Sequence, residues 1–225
     1  MAAVDTAPDV AAPVFSHPWL DGPFLDGGAT RAQVQAFAVA MIGLYDHLPR
    51  LYGPPYMTGA DYKIRRMIAD QLLSTIPMPK GPAARIGEGA HAALARYLAE
   101  ELGADPSAVA GAEADAKLVT SADELVATLF EPPYWVAMGA VAKAESEISP
   151  SIGRIREALI EHWGLSAGQT ALFDAPPIFG PDIIDYAQTQ VDSPFEQAQL
   201  DYYLTRVRDE LGACWHCCFA AGAAA

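Results

Sequence analysis

Glu88-Gly89-Ala90-His91 sets a carboxylate and an imidazole three positions apart, a spacing that shares one face of a helix. Carboxylate-bridged metal pairs in helical bundles use this Glu-x-x-His spacing, with both side chains turned inward. An isolated pair of this kind also occurs on solvated faces. Here the two intervening residues are small, and Ala90, Leu94 and Leu98 make the side next to His91 apolar.

Glu145 is a second candidate, because Val141, Ala142 and Ile148 surround it with apolar sequence. A carboxylate carried into a core needs a cation or a proton to offset its lost hydration. The alternative is a surface ion pair with Lys143 or Arg156. Asp182-Ile183-Ile184-Asp185 gives a third pair at the same spacing, although Asp182 after Pro181 also suits a helix cap. Glu88, His91, Glu145, Asp182 and Asp185 together form an oxygen-rich metal set with one imidazole. Such a set fits iron or manganese better than structural zinc.

The remaining reactive residues point elsewhere. His17, His47 and His162 lie at a chain entrance or near helix ends, where surface or capping roles suit imidazole and the helix dipole favours its charge. His216 sits among the aromatic and cysteine residues of the last helix. Cys214, Cys217 and Cys218 are too close together for a tetrahedral site with no second cysteine pair elsewhere, so they read as core packing. The same clustering predicts no structural disulfide and a reducing compartment. No Gly-rich phosphate loop, dinucleotide fingerprint or Gly-x-Ser-x-Gly elbow occurs.

These residues must be positioned by helices. The 225-residue chain is 52% hydrophobic, enough for one core. No uncharged run approaches the ~20 residues of a membrane span. A net charge of −14 argues against a nucleic-acid partner, which calls for clustered lysine and arginine. The stretch from Met1 to Val14 lacks a basic region and carries Asp5 and Asp9, so it reads as a disordered tail (residues 1–15) on a cytoplasmic protein and not as a secretory signal.

Helix signals recur along the chain without competing strand patterns. Thr30, with Gln33 three residues on, opens a first helix that ends near Pro49. A second spans Gly59 to Thr75, and a third spans Ala83 to Leu102 with Leu94, Tyr97 and Leu98 facing the core and a glycine stop at Gly103. Asp105 to Val119 gives no clear pattern. Ser121 with Glu124 opens a segment to Phe130, Trp135 to Ile148 continues after Pro132-Pro133, and Pro150 or Ser151 starts a helix ending at Trp163-Gly164. A short helix starts at Pro181. Ser193-Pro194-Phe195-Glu196 is the strongest start signal of all, beginning a last helix that runs to Phe219. The expectation is an all-α single bundle of seven or eight helices over residues 16–219, followed by a tail at 220–225.

In this order, His17-Pro18-Trp19, Phe24 to Arg31, Ile64-Arg65-Arg66, Gly87 to His91 and Ala144-Glu145 with Pro150 resemble the heme-oxygenase-like family. His162-Trp163-Gly164-Leu165 and Arg208 to Phe219 continue the likeness. That family includes non-heme di-iron oxidases, the cofactor-free pyrroloquinoline-quinone synthase and TenA-type thiaminases. The resemblance implies di-iron ligands at Glu88, His91 and Glu145, with Asp182 in place of the late aspartate and Asp185 in place of the last histidine. The second-helix glutamate of the di-iron members would fall near Ser74 or Thr75 and is missing, as is the first late histidine.

Three functions follow as expectations. The first is an oxidoreductase activating O2 at non-heme iron against a small amine, amino acid or fatty acid. The second is a cofactor-free oxidase in which His91 is a general base and Tyr202, Tyr203 and Arg206 line an anion pocket. The third is a metal-less binding or partner protein of the same fold. A homodimer is expected in each case.

Overall fold

The computed structural model describes residues 16–59, 62–75, 90–175 and 177–225. The expected N-terminal tail, the first part of the expected third helix and Glu88 lie outside them. Among the described residues the protein is all-helical, as expected. The α-helices are α1 (Arg31–His47), α2 (Gly53–Thr58), α3 (Tyr62–Thr75), α4 (Ala90–Glu101), α5 (Pro106–Ala110), α6 (Ala116–Thr128), α7 (Tyr134–Trp163), α8 (Pro181–Thr189) and α9 (Pro194–Ala224). None of them is long and apolar enough to cross a membrane.

The start signals act as the residue types dictate. The Thr30 hydroxyl accepts from the Gln33 N–H at 3.2 Å and the Gln33 amide oxygen accepts from the Thr30 N–H at 3.0 Å, a reciprocal cap. Val34, Phe37, Ala38, Met41, Ile42 and Tyr45 then fall on the buried face. Ser193 caps α9 through the Glu196 N–H, with Pro194 in the first turn. Gly103 and Gly164 close α4 and α7 with φ of 75° and 70°, a conformation that costs glycine little.

Several expected boundaries are corrected. Ser121 opens nothing: the Asp115 carboxylate caps α6 at the Leu118 N–H, 2.8 Å away, and Ser121 falls inside the helix. Two expected helices fuse into the 30-residue α7, with Pro150 in its interior. Proline's φ suits a helix, and the burial of Ala144, Ile148, Ser151 and Ile155 on both sides of Pro150 offsets an interruption of ~3 kcal/mol. The short α2 and α5 show no periodicity in sequence because one turn is too little to reveal a face. Tyr97, expected in the core, is exposed.

α9 is the central post, packing on α1, α6 and α7, while α1 also packs on α4 and α7 on α8. The expected tail at 220–225 is instead helical through Ala224. Gly222 is buried against the Trp19 ring of the entry segment, and a Cβ there would lie 2.7 Å from that ring. Trp19 in turn packs on Phe24 and Phe37, so the last turn of α9 holds the entrance of the chain. Gly222→Ala is therefore expected to destabilise the fold by about 1–3 kcal/mol through overpacking, read as a lower urea midpoint. An unchanged midpoint would show that the last turn of α9 does not hold the entry segment.

Candidate active site in the α7 cavity

A cavity of about 390 Å³ lies beside the middle of α7, within the range of small-molecule sites. Tyr45 (α1), Tyr52, His91 (α4), Glu145 (α7), Phe173 and Trp215 (α9) are among its lining residues, with aliphatic side chains filling most of the rest. The wall is therefore apolar and aromatic with a few polar groups. Among the lining residues none is lysine or arginine.

Glu145 is the ionisable group of this wall with the clearest surroundings. Its Oε1 accepts from the Ile178 N–H at 3.1 Å and its Oε2 from the Phe179 N–H at 3.3 Å. The Ile178 carbonyl accepts from the Tyr52 hydroxyl at 2.6 Å, so the segment before α8 is pinned on both edges. Burial pushes the Glu145 carboxyl up to about 7, the two backbone N–H groups opposing that rise. Desolvation thus outweighs hydrogen bonding. Of the two cations of the ion-pair alternative, Arg156 instead binds Asp174 at 3.2 Å.

His91, at the start of α4, stacks on Tyr45 with ring centres 5.7 Å apart and planes at 12°. Trp215 meets the same tyrosine edge-on at 6.2 Å. Burial raises the Tyr45 hydroxyl well above its usual range, with Cys218 and then Glu145 adding to the effect. Tyr45 therefore stays a neutral hydroxyl.

Of the sequence candidates, the structure brings His91 and Glu145 to one cavity. Glu88 lies outside the described residues. Asp182 and Asp185 are exposed on α8 and do not line the cavity. The expected anion pocket is corrected: the Arg206 guanidinium is engaged by Glu131 at 2.7 Å and Glu210 at 3.0 Å, and the Tyr203 hydroxyl donates to Glu131 at 3.2 Å. Tyr202 is exposed. His47 and His162 bond the Gly43 and Leu25 carbonyls, the capping and surface roles that their positions suggested. Cys214 and Cys218 are buried in the core.

Iron fits poorly among these residues. His91 and Glu145 are the two cavity donors of the proposed ligand set, and among the described residues no group of three histidine, cysteine, aspartate or glutamate side chains could hold a metal. Sequence reasoning missed Tyr45, Tyr52 and Trp215, and it missed the backbone N–H groups of Ile178 and Phe179. The prolines bracketing Pro177-Ile178-Phe179-Gly180-Pro181 were the available signal, since they fix an extended turn whose N–H groups must find partners outside a helix.

No protein-family model and no curated protein matches the chain. Solved structures do. A domain of unknown function with a heme oxygenase-like fold from Shewanella denitrificans OS217 superposes with a TM-score of 0.65 at 15% identity, covering 91% of this chain and 83% of that one. A TenA homologue from P. horikoshii OT3 gives 0.59 at 11% identity, covering 92% of both chains. A TenA homologue from Pseudomonas syringae pv. tomato DC3000 gives 0.60 at 12%, covering 91% of this chain and 85% of that one. The class is thus an all-α fold with an aromatic-walled cavity. More particularly, it is the heme-oxygenase-like fold, as the sequence resemblance implied.

The Glu145 environment has a measurable consequence. Its folded value lies above the ordinary 4.5, so the folded state binds more protons than the unfolded state between about pH 4.5 and pH 7. Stability therefore falls as pH rises across that window and levels above it, by up to about 3 kcal/mol. Glu145→Gln should remove this fall, seen by comparing urea midpoints at about pH 5 and about pH 8. An identical pH slope in the variant would place the titrating group elsewhere.

Proposed function

We propose that the α7 cavity is an acid–base active site for a small amine with an apolar body, in which Glu145 takes and returns a proton. The observation that carries this reading is the Glu145 carboxyl, set in an apolar and aromatic wall with its proton held near neutrality. A carboxyl poised there both accepts and donates a proton at physiological pH. Burial, which raises it when alone, reverses once an ammonium group lies beside it, because opposite charge favours the carboxylate. Ligand binding and proton release are thereby coupled.

The other residues have distinct parts. Tyr45, Tyr52 and Trp215 offer ring faces and edges to the apolar body, and rings of this kind attract a cation. His91, its ring oriented by the Tyr45 stack, supplies a second group for proton movement. The Ile178 and Phe179 N–H groups hold the carboxyl in place and stabilise its ionised form when the proton leaves. This reading follows the cofactor-free expectation more closely than the iron-dependent one, and no step in it runs through a metal.

The probe is 2-phenylethylamine, with 2-phenylethanol as its neutral match, followed by tryptophan fluorescence and calorimetry. The amine is expected to bind more tightly than the alcohol. Its affinity should rise as pH increases through about 7, with a proton released on binding. Glu145→Gln should lower the affinity for the amine by about tenfold or more and abolish the proton release. Equal binding of amine and alcohol, or proton release that survives in the variant, would overturn the reading.

A further inference from the structure

Two contacts at the cavity meet in one peptide group. The Ile178 carbonyl, which accepts from the Tyr52 hydroxyl at 2.6 Å, and the Phe179 N–H, which donates to Glu145 Oε2 at 3.3 Å, belong to the same amide. A trans amide is planar, with its carbonyl and N–H on opposite edges, so fixing the carbonyl fixes where the N–H points. The join is shut off from solvent: Tyr52 is 2% exposed and Phe179 1%. Their rings meet edge-on with centres 5.1 Å apart, so Tyr52 grips the same amide through its ring as well as its hydroxyl. Hydrogen bonds in series polarise one another in a low-dielectric interior, and an amide whose carbonyl is taken donates more strongly from its N–H. The Ile178 N–H, on Glu145 Oε1 at 3.1 Å, belongs to the preceding amide, so the Tyr52 hydroxyl acts directly on the Oε2 side.

We infer that Tyr52 is a positioning residue, whose hydroxyl aims and strengthens the Phe179 N–H that holds Glu145 as a carboxylate when an amine is bound. The inference deepens the amine reading and rests on it, giving the Tyr52 hydroxyl a part separate from that of its ring. A hydrogen bond to an ionised acceptor is roughly twice as strong as one to a neutral acceptor. An amine binds beside the carboxylate, whereas a neutral alcohol meets the protonated carboxyl. Loss of the Tyr52 hydroxyl is therefore felt mainly by the charged ligand. A hydroxyl that only kept the wall in shape would matter equally to both.

The test measures 2-phenylethylamine and 2-phenylethanol on the unsubstituted protein, on Tyr52→Phe, on Glu145→Gln and on the double variant. Tyr52→Phe keeps the ring and its edge contact with Phe179, and one lost hydrogen bond is small against the stability of a domain, so the variant folds. Its affinity for the amine should fall about fivefold and that for the alcohol by less than about twofold. In the Glu145→Gln background the same substitution should no longer separate the two ligands, because no carboxylate remains for the amide to serve. Equal weakening of both ligands by Tyr52→Phe overturns the inference, and so does an amine affinity that the variant leaves intact. Both of these results leave the amine reading standing. A selective loss that persists in the Glu145→Gln background also overturns the inference, since the hydroxyl would then act through another group. Equal binding of amine and alcohol to the unsubstituted protein overturns the amine reading and this inference with it.

Discussion

A carboxyl placed in an apolar wall must be compensated, and the arrangement of this protein around its cavity follows from how Glu145 is compensated. Its two oxygens draw in the N–H groups of Ile178 and Phe179, and the Ile178 carbonyl in turn takes the Tyr52 hydroxyl. Three stretches far apart in sequence are thereby joined: the segment after α1, the middle of α7 and the approach to α8. Each leaves apolar side chains facing the space between them, which is the cavity. The compensation is partial, since burial still raises the carboxyl to about 7, and a carboxyl carrying such a cost is sensitive to any charge placed beside it.

The bundle supports that arrangement from outside. α9 runs the length of the fold, and its Trp215 reaches both the cavity and the Tyr45 ring. Tyr45 then carries the stack to His91. At its far end α9 closes on the Trp19 entry segment through Gly222. A single helix therefore contributes to the cavity wall and secures the start of the chain. Long-range ion pairs add less: Arg50 with Asp123 at 2.6 Å and Arg206 with Glu131 at 2.7 Å are both substantially exposed, and exposed pairs of this kind contribute little.

Local signals were legible where the deciding atoms lie within four residues of one another. The Thr30 and Ser193 caps, the glycine stops at 103 and 164 and the proline start of α8 needed only their own neighbours. Ser121 misled because Asp115, six residues earlier, offered a cap that starts the same helix sooner. Pro150 misled because local propensity reads a proline as a break, whereas burial on both flanks carried α7 through it. The 220–225 segment looked like low-complexity sequence, yet the small size of Gly222 is what admits the Trp19 ring.

The site divides in the same way. Sequence alone determined the all-helical class and the heme-oxygenase-like likeness, and it singled out His91 and Glu145, because apolar spacing around a polar residue is a local property of a helix face. It could not determine which partners those residues would meet. Asp182 and Asp185 share a face with the right spacing, but α8 turns that face to solvent. Arg206 had the right chemistry for an anion, but Glu210 one turn on and Glu131 from a distant position reach it first. Only the tertiary structure decided that Glu145 would answer to two backbone N–H groups and an aromatic cavity. Such partners come from chain segments whose meeting depends on how all the helices pack together.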